Sequence, residues 1–233
     1  SGGCIVPPEG YYKKIYDVCK KNEIIFIADE VVTGFGRLGH FFSSEEVFGV
    51  VPDIITCAKG ITSGYLPLGA VLFSDKLIGD LKHDSSLFFH GYTYSGHPAC
   101  CAAALKNIEI LKRDKILEHV REIEPYFFEK LNTLYELPIV GDIRGKGLMA
   151  GIECVINKNS KEALILDKAI GSRIDEESIK LGLIIRPLYH ICVLSPALII
   201  TKNQIDDLTE KLYLAISNTI DQLQKEGLWS SQK

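Results

Sequence analysis

No apolar run in this sequence reaches the roughly 18 residues needed to span a bilayer, so a membrane partner is not expected. There is no basic excess either. Lys and Arg number 26 against 30 Asp and Glu, a formal net charge of −4, and no Lys/Arg stripe offsets it. That balance argues against nucleic acid as a partner. The seven cysteines include no C-x-x-C pair and no Cys/His ligand spacing, so no metal site is expected. Their odd number and scattered placement point to a reducing compartment, here taken as the cytoplasm. No G-x-G-x-x-G follows a candidate strand, which leaves nicotinamide binding without support. Repeats and low-complexity tracts are absent, as are an initiator Met and a basic-then-apolar leader. The abrupt start at Ser1-Gly2-Gly3 reads either as a purification scar or as the edge of missing upstream sequence.

What is present is a globular composition. Of 233 residues 46% are hydrophobic, too many for a disordered chain and enough for one large domain or two smaller ones. Over the first hundred residues helical and strand patterns alternate. Tyr12, Ile15, Val18 and Cys19 recur at helical spacing after Pro7-Pro8-Glu9-Gly10. Glu23 to Ala28 is a short apolar run, expected to be a strand buried on both faces and ending at Asp29. Ile54 to Cys57 and Gly69 to Phe73 are two further candidate strands, separated by a Gly/Ser-rich loop from Lys59 to Gly69. This alternation predicts an α/β sheet with functional residues where strands give way to loops.

The second half reads differently. Helices are predicted over Ala99–Lys112, Asp114–Glu136 (kinked or divided by Pro125), Lys161–Leu181 and Lys202 to about Lys225. Strands are predicted at Ile139–Ile143 and Leu148–Val155, and near Ile184, Val193 and Ile199. Such runs fit a separate α+β domain, giving a division into residues 1–112 and 113–233.

Four constellations could carry chemistry: an acid at a strand end (Asp29), a lysine in a glycine-bounded loop (Lys59), the polar stretch HGYTYSGHP (His90 to Pro98) and an Arg-Pro pair (Arg186-Pro187). Each has a plain alternative. An Asp at a strand terminus is commonly a turn former, a Lys before Gly a solvated charge, and the histidines could be packing residues.

Taken together and in this order, DEVVTGFGR (Asp29 to Arg37), CAKGITSGYLPLGAV (Cys57 to Val71) and HGYTYSGHP resemble the class III pyridoxal-phosphate-dependent aminotransferases. RGKGLMAGIE (Arg144 to Glu153) and GLIIRP (Gly182 to Pro187) extend the resemblance over essentially the whole chain. Among subfamilies the sequence is most similar to the omega-amino-acid and amine:pyruvate transaminases. The resemblance implies a fold type I α/β transferase, represented here by part of the large cofactor domain and a small α+β C-terminal domain. It also implies pyridoxal 5'-phosphate as cofactor, and an amine or omega-amino acid and a keto acid such as pyruvate as substrates.

Residue roles follow from the resemblance. Lys59 would form a Schiff base with the cofactor and later carry the proton between substrate and cofactor, which requires a neutral amine. Asp29 would face the pyridine nitrogen and keep it protonated. Val31, on the same side if the strand continues, would pack on the ring. Thr93 would donate a hydrogen bond to the cofactor phosphate of the neighbouring subunit, which implies a homodimer. Arg186 would hold the substrate carboxylate through two parallel hydrogen bonds. Arg144 is taken as a scaffold residue joining the small domain to the large one.

Three features depart from the family pattern. Val32 stands where some members carry Gln, and Ala197 stands where a second Pro is common. The family's N-terminal half, with its phosphate-binding Gly-Ser loop and ring-stacking aromatic residue, has no counterpart here. Two alternatives therefore stay open: another class III activity of decarboxylating or aminomutase type, and a noncatalytic fragment that needs the missing half.

Overall fold

Residues 2–79, 89–163 and 170–230 are described by the structure, a computed structural model. The chain divides into two compact units, Pro7–Val120 and a second made of Ser1–Val6 with Arg121–Lys233. The division after Val120 lies inside a helix, eight residues beyond the 112/113 position expected from the sequence pattern.

The first unit opens with α1 (Tyr11–Lys21), whose C-terminus carries Lys20 and Lys21, favourable against the helix dipole. Then come β1 (Ile27–Asp29), α2 (Ser43–Glu46), β2 (Ile54–Cys57), a 3-10 turn at Lys59–Thr62, β3 (Ala70–Phe73) and α3 (Asp75–Gly79). The strands form one sheet in the order β1-β2-β3. β1 and β2 are parallel, with Asp29 opposite Thr56, and β2 and β3 are antiparallel. α4 (Pro98–Arg113) starts with proline at the first helical position, where the missing N–H costs nothing. It buries Cys100, Ala104 and Leu111 on one stripe. α5 (Ile116–Asn132) follows and continues unbroken through Pro125, so the expected division of this helix does not occur.

The apolar run before Asp29 also departs from expectation. Only its last two residues, with Asp29, are strand, and Ile24, Ile25 and Ile27 are exposed, Ile27 by 56%. The reason is that among the described residues β1 has a single partner strand and neither face of it is fully covered.

In the second unit β4 (Val140–Lys146), β5 (Met149–Asn157), β6 (Glu162–Ala163), α6 (Ile170–Lys180), β7 (Arg186–Leu188), β8 (Ile191–Leu194) and α7 (Lys202–Lys225) follow in sequence. The antiparallel sheet runs β4-β5-β8-β7, with β6 on β5. Ala150, Ile152, Cys154, Cys192 and Leu194 share one face by register and are buried. Ile174 of α6 and Ile205, Leu212 and Ile216 of α7 are buried with them. α7 occupies the span its periodicity predicts and starts with a reciprocal capping box between Thr201 and Gln204. Of the helix expected over Lys161–Leu181, α6 covers Ile170–Lys180, Glu162–Ala163 is instead strand β6, and residues 164–169 lie outside the described residues. Ile199 is not in a strand. It sits in a turn closed by the Ile200 N–H donating to the Ala197 carbonyl at 3.0 Å.

Candidate active site

Parallel pairing of β1 and β2 decides the geometry. Asp29 is the last residue of β1, and Lys59 lies two residues past the end of β2. Both therefore stand at the carboxyl ends of neighbouring parallel strands, the edge at which open α/β sheets bind ligands. Both side chains are exposed. Asp29 Oδ1 accepts a hydrogen bond from the Val31 N–H at 3.0 Å, which fixes the carboxylate over its own turn. Because β1 stops at Asp29, strand alternation does not extend to Val31, which is placed by this turn and is half-buried.

Lys59 has φ +43°, a left-handed conformation that costs a non-glycine residue about 1–2 kcal/mol. Tertiary contacts hold it there. Gly60 lies so close to the loop after β1 that an added Cβ would stand 2.8 Å from the Gly34 carbonyl oxygen and 3.0 Å from Phe35 Cβ. From α4, Asn107 Nδ2 donates to the carbonyls of Gly60 and Ile61 at 2.9 and 3.1 Å, and Ser63 Oγ donates to Asn107 Oδ1 at 2.7 Å. The lysine backbone is thus clamped on both sides while its side chain stays open. Strain of this kind, maintained by surroundings, is a mark of functional loops.

Two residues that contribute here were missed by sequence reasoning, Asn107 and Glu30. Glu30 is 2% exposed, and its carboxylate accepts from Thr33 Oγ1 at 2.6 Å, Ser43 Oγ at 2.5 Å and the Ser44 N–H at 2.6 Å. Burial pushes this carboxyl up, but the bonds from Ser43 and Thr33 and from the backbone of the same segment outweigh it and hold it below the ordinary range. The available signal was an acid followed by two valines, next to Ser43-Ser44. Local pattern does not reveal that these segments meet.

Thr93 lies in a turn in which the Ser95 N–H donates to the Tyr92 carbonyl at 2.9 Å and the Tyr92 N–H donates to Ser95 Oγ at 2.8 Å. Its neighbours Tyr92 and Tyr94 are 79% and 80% exposed. Arg186 belongs to the second unit, at the start of β7 and exposed. The register places Arg144, Gly151, Val193 and Arg186 in one row across that sheet. Arg144 is held by Asp142 at 2.8 Å and by Glu153, and its Nε donates to the Gly3 carbonyl at 3.0 Å. Gly151 has no side chain because the Gly3 carbonyl passes where its Cβ would be, 2.6 Å away. Arg144 therefore anchors the first residues of the chain across this sheet. Among the described residues no group of three or more His, Cys, Asp or Glu is gathered as metal ligands would be, and no helix is long and apolar enough to cross a membrane.

A family model for class-III aminotransferases matches residues 1–216. The chain belongs to this family. Among curated proteins, this class-III aminotransferase chain is 43% identical over 209 residues to putrescine–pyruvate aminotransferase of Pseudomonas aeruginosa, covering 89% of this chain and 45% of that protein. It is 39% identical over 226 residues to probable gamma-aminobutyrate transaminase 3, mitochondrial, of Oryza sativa subsp. indica, covering 96% and 44%. Among solved structures, an (S)-enantioselective omega-transaminase from Thermomicrobium roseum superposes with a TM-score of 0.91 at 42% identity, covering 95% of this chain and 49% of that one. A PMP-bound aminotransferase from Vibrio fluvialis gives 0.86 at 36% identity, covering 94% and 49%. The fold is accordingly that of the fold type I pyridoxal-phosphate-dependent transferases, and the chain spans about half the length of the relatives it matches.

Proposed function

We propose that this class-III aminotransferase chain provides the lysine and aspartate of a pyridoxal 5'-phosphate site that moves an amino group from an amine or omega-amino acid to a keto acid such as pyruvate. The observation that carries this reading is the placement of Asp29 and Lys59 at adjacent parallel strand ends, in a chain of this family. The donor set suits the group: an accessible primary amine and a carboxylate at the end of the neighbouring parallel strand. Bound there, the cofactor supplies an aldehyde that captures amines and a ring that accepts electron density.

The chain's residues do the rest. Lys59 Nζ would hold the cofactor covalently through its aldehyde carbon, releasing water, and as a free neutral amine would carry a proton from the substrate carbon to the cofactor carbon. Asp29, as a carboxylate, holds the proton on the ring nitrogen, and Val31 packs against the ring. Arg186 binds the carboxylate of the keto acid with its planar guanidinium. Thr93 donates to the cofactor phosphate of a neighbouring subunit in a homodimer, a role supported by the exposed tyrosines beside it. Residues 1–112 belong to the cofactor-binding large domain and residues 113–233 to the small domain. The seven free cysteines fit a cytoplasmic enzyme.

A second observation bears on the chain by itself. Ile27, Val71, Leu72 and Phe73 of the sheet that leads to Asp29 and Lys59 are exposed, and among the described residues β1 and β3 each have one partner strand. Open strand edges and exposed apolar surface of this kind mark a sheet whose neighbouring structure is not in these residues. This polypeptide alone therefore retains cofactor poorly, and the site is complete only with the portion of the fold that the relatives carry beyond it.

The test uses the natural polypeptide that contains this sequence, loaded with cofactor. Alanine should form from pyruvate and a simple amine. Lys59→Ala should abolish the visible absorbance of lysine-bound cofactor and lower transfer by at least about 10²–10⁴-fold. A cofactor-loaded protein that makes no alanine, or a Lys59→Ala variant that transfers normally, would overturn the reading. Strong Lys59-dependent absorbance from the 233 residues alone would overturn the claim of poor retention.

A further inference from the structure

We propose that Glu30 is a positioning residue that sets Asp29 and Lys59 relative to one another; this rests on the cofactor reading above. Glu30 adjoins Asp29 in the chain, yet the two have opposite environments, Asp29 exposed and Glu30 buried. Removing a carboxylate from water costs several kcal/mol unless its oxygens are well satisfied. Here three donors converge on it, from Thr33, Ser43 and Ser44. Glu30 stands one residue past the end of β1, so its buried carboxylate anchors the chain directly beside the exposed carboxylate of Asp29.

The backbone of Glu30 carries the constraint in two further directions. Its N–H donates to the Thr56 carbonyl at 2.8 Å, one step past the last paired residue of β1, and so locks Asp29 in register with the strand that leads to Lys59. Its carbonyl accepts from the Gly34 N–H at 2.9 Å. Gly34 in turn has no room for a side chain, since a Cβ would stand 2.8 Å from that same Glu30 carbonyl oxygen. The Gly34 carbonyl then lies against Gly60, the residue after Lys59. One buried side chain thus fixes the strand end that bears the aspartate and the loop against which the lysine turn is seated. Thr33 and Ser43 hold the far side of the same loop.

Two measurements on the natural, cofactor-loaded protein test this. The first is amide hydrogen exchange, which does not depend on cofactor chemistry. Glu30→Ala should speed exchange at Gly34, and at Ser63 and Gly64, whose N–H groups bond the carbonyls of Gly60 and Lys59, by about tenfold or more. Asp53→Asn serves as control: that buried carboxylate of the same unit is bonded by Lys20 at 2.6 Å and the Phe26 N–H at 2.9 Å, and its loss should leave those amides unchanged. The second is the pH titration of the visible absorbance of lysine-bound cofactor. Glu30→Ala should move its midpoint in the same direction as Asp29→Asn, Glu30→Gln should restore most of the shift, and Asp53→Asn should leave it unmoved. If Glu30→Ala does not fold, Thr33→Val and Ser43→Ala each remove one donor and should give smaller shifts of the same sign. Unchanged exchange at Gly34 and Gly64 in every variant would overturn the clamp. Faster exchange with an unmoved titration would overturn its link to Asp29 and Lys59. A wild-type protein lacking Lys59-dependent absorbance would instead overturn the cofactor reading, a distinct failure.

Discussion

In the second unit Phe127, Leu131, Ile152, Ile174, Ile205, Leu212 and Ile216 are fully buried, and β8 is buried at every position. In the first unit α1 and α3 bury no residue, and Ile24, Ile27, Val71, Leu72 and Phe73 face solvent around β1 and β3. The unit with the finished core holds only the carboxylate-binding candidate Arg186. The unit that holds Asp29 and Lys59 has the unfinished one. The proposed chemistry and the completed packing thus fall in different units of this chain. The order around Lys59 comes from polar clamps at Glu30 and Asn107 together with the buried side chains of Phe35, Cys57 and Ile61. The chain's span of about half its relatives' length accords with that division.

Truncating each core should expose the contrast most strongly. Phe127→Ala should cost about 3–5 kcal/mol, because the ring is completely buried and its cavity cannot collapse fully. Leu72→Ala on β3, 41% exposed, should cost under about 1 kcal/mol in this chain. Urea denaturation monitored separately in each unit measures both, and equal costs would break the comparison.

The next effect concerns whether the well-packed unit takes part in chemistry at all. In the natural protein, Arg186→Met should raise KM for the keto acid by roughly 10- to 100-fold, the loss of a charged hydrogen bond of about 1.5–3 kcal/mol. KM for an amine donor without a carboxylate should be unmoved. Equal changes for both substrates would remove Arg186 from the site.

Acid should produce the smallest effect, and it reaches both units. Lys180, Gln222 and Asn218 hold Glu177 below the ordinary glutamate value near 4.5, and in the first unit Glu30 lies below it as well. A carboxyl lowered in the folded state contributes stability above its unfolded value, and that contribution is lost as pH falls through the folded value. Stability of both units should therefore decline below about pH 4.5. Glu177→Gln should flatten the decline in the second unit and Glu30→Gln in the first, as read by denaturant midpoints across that range.

Much of this architecture was legible in the linear pattern. The 3.6-residue spacing of Ile205, Leu212, Ile216 and Leu223 predicted α7 over its full span, and His97-Pro98 marked the start of α4. Asp29 and Lys59 were singled out because their flanking motifs are distinctive. Glu30 and Asn107 were not. Thr33 apart, their partners lie 13 to 47 residues away, and no periodicity reports a hydrogen bond between a helix and a distant turn. Nor did the pattern foresee that the run before Asp29 would stay exposed, since an apolar strand looks the same whether or not anything covers it.

By itself the sequence determined the family, most of the regular elements and the residue types that chemistry of this kind requires. Those depend on identity and on short-range period, which a chain carries without folding. Only the tertiary structure decided that β1 pairs parallel with β2 so that Asp29 and Lys59 share one sheet edge, and that Lys59 is held at positive φ between Gly34 and Asn107. Strand pairing and loop packing bring together residues tens of positions apart, and their free energy resides in contacts that exist only once the chain has closed on itself.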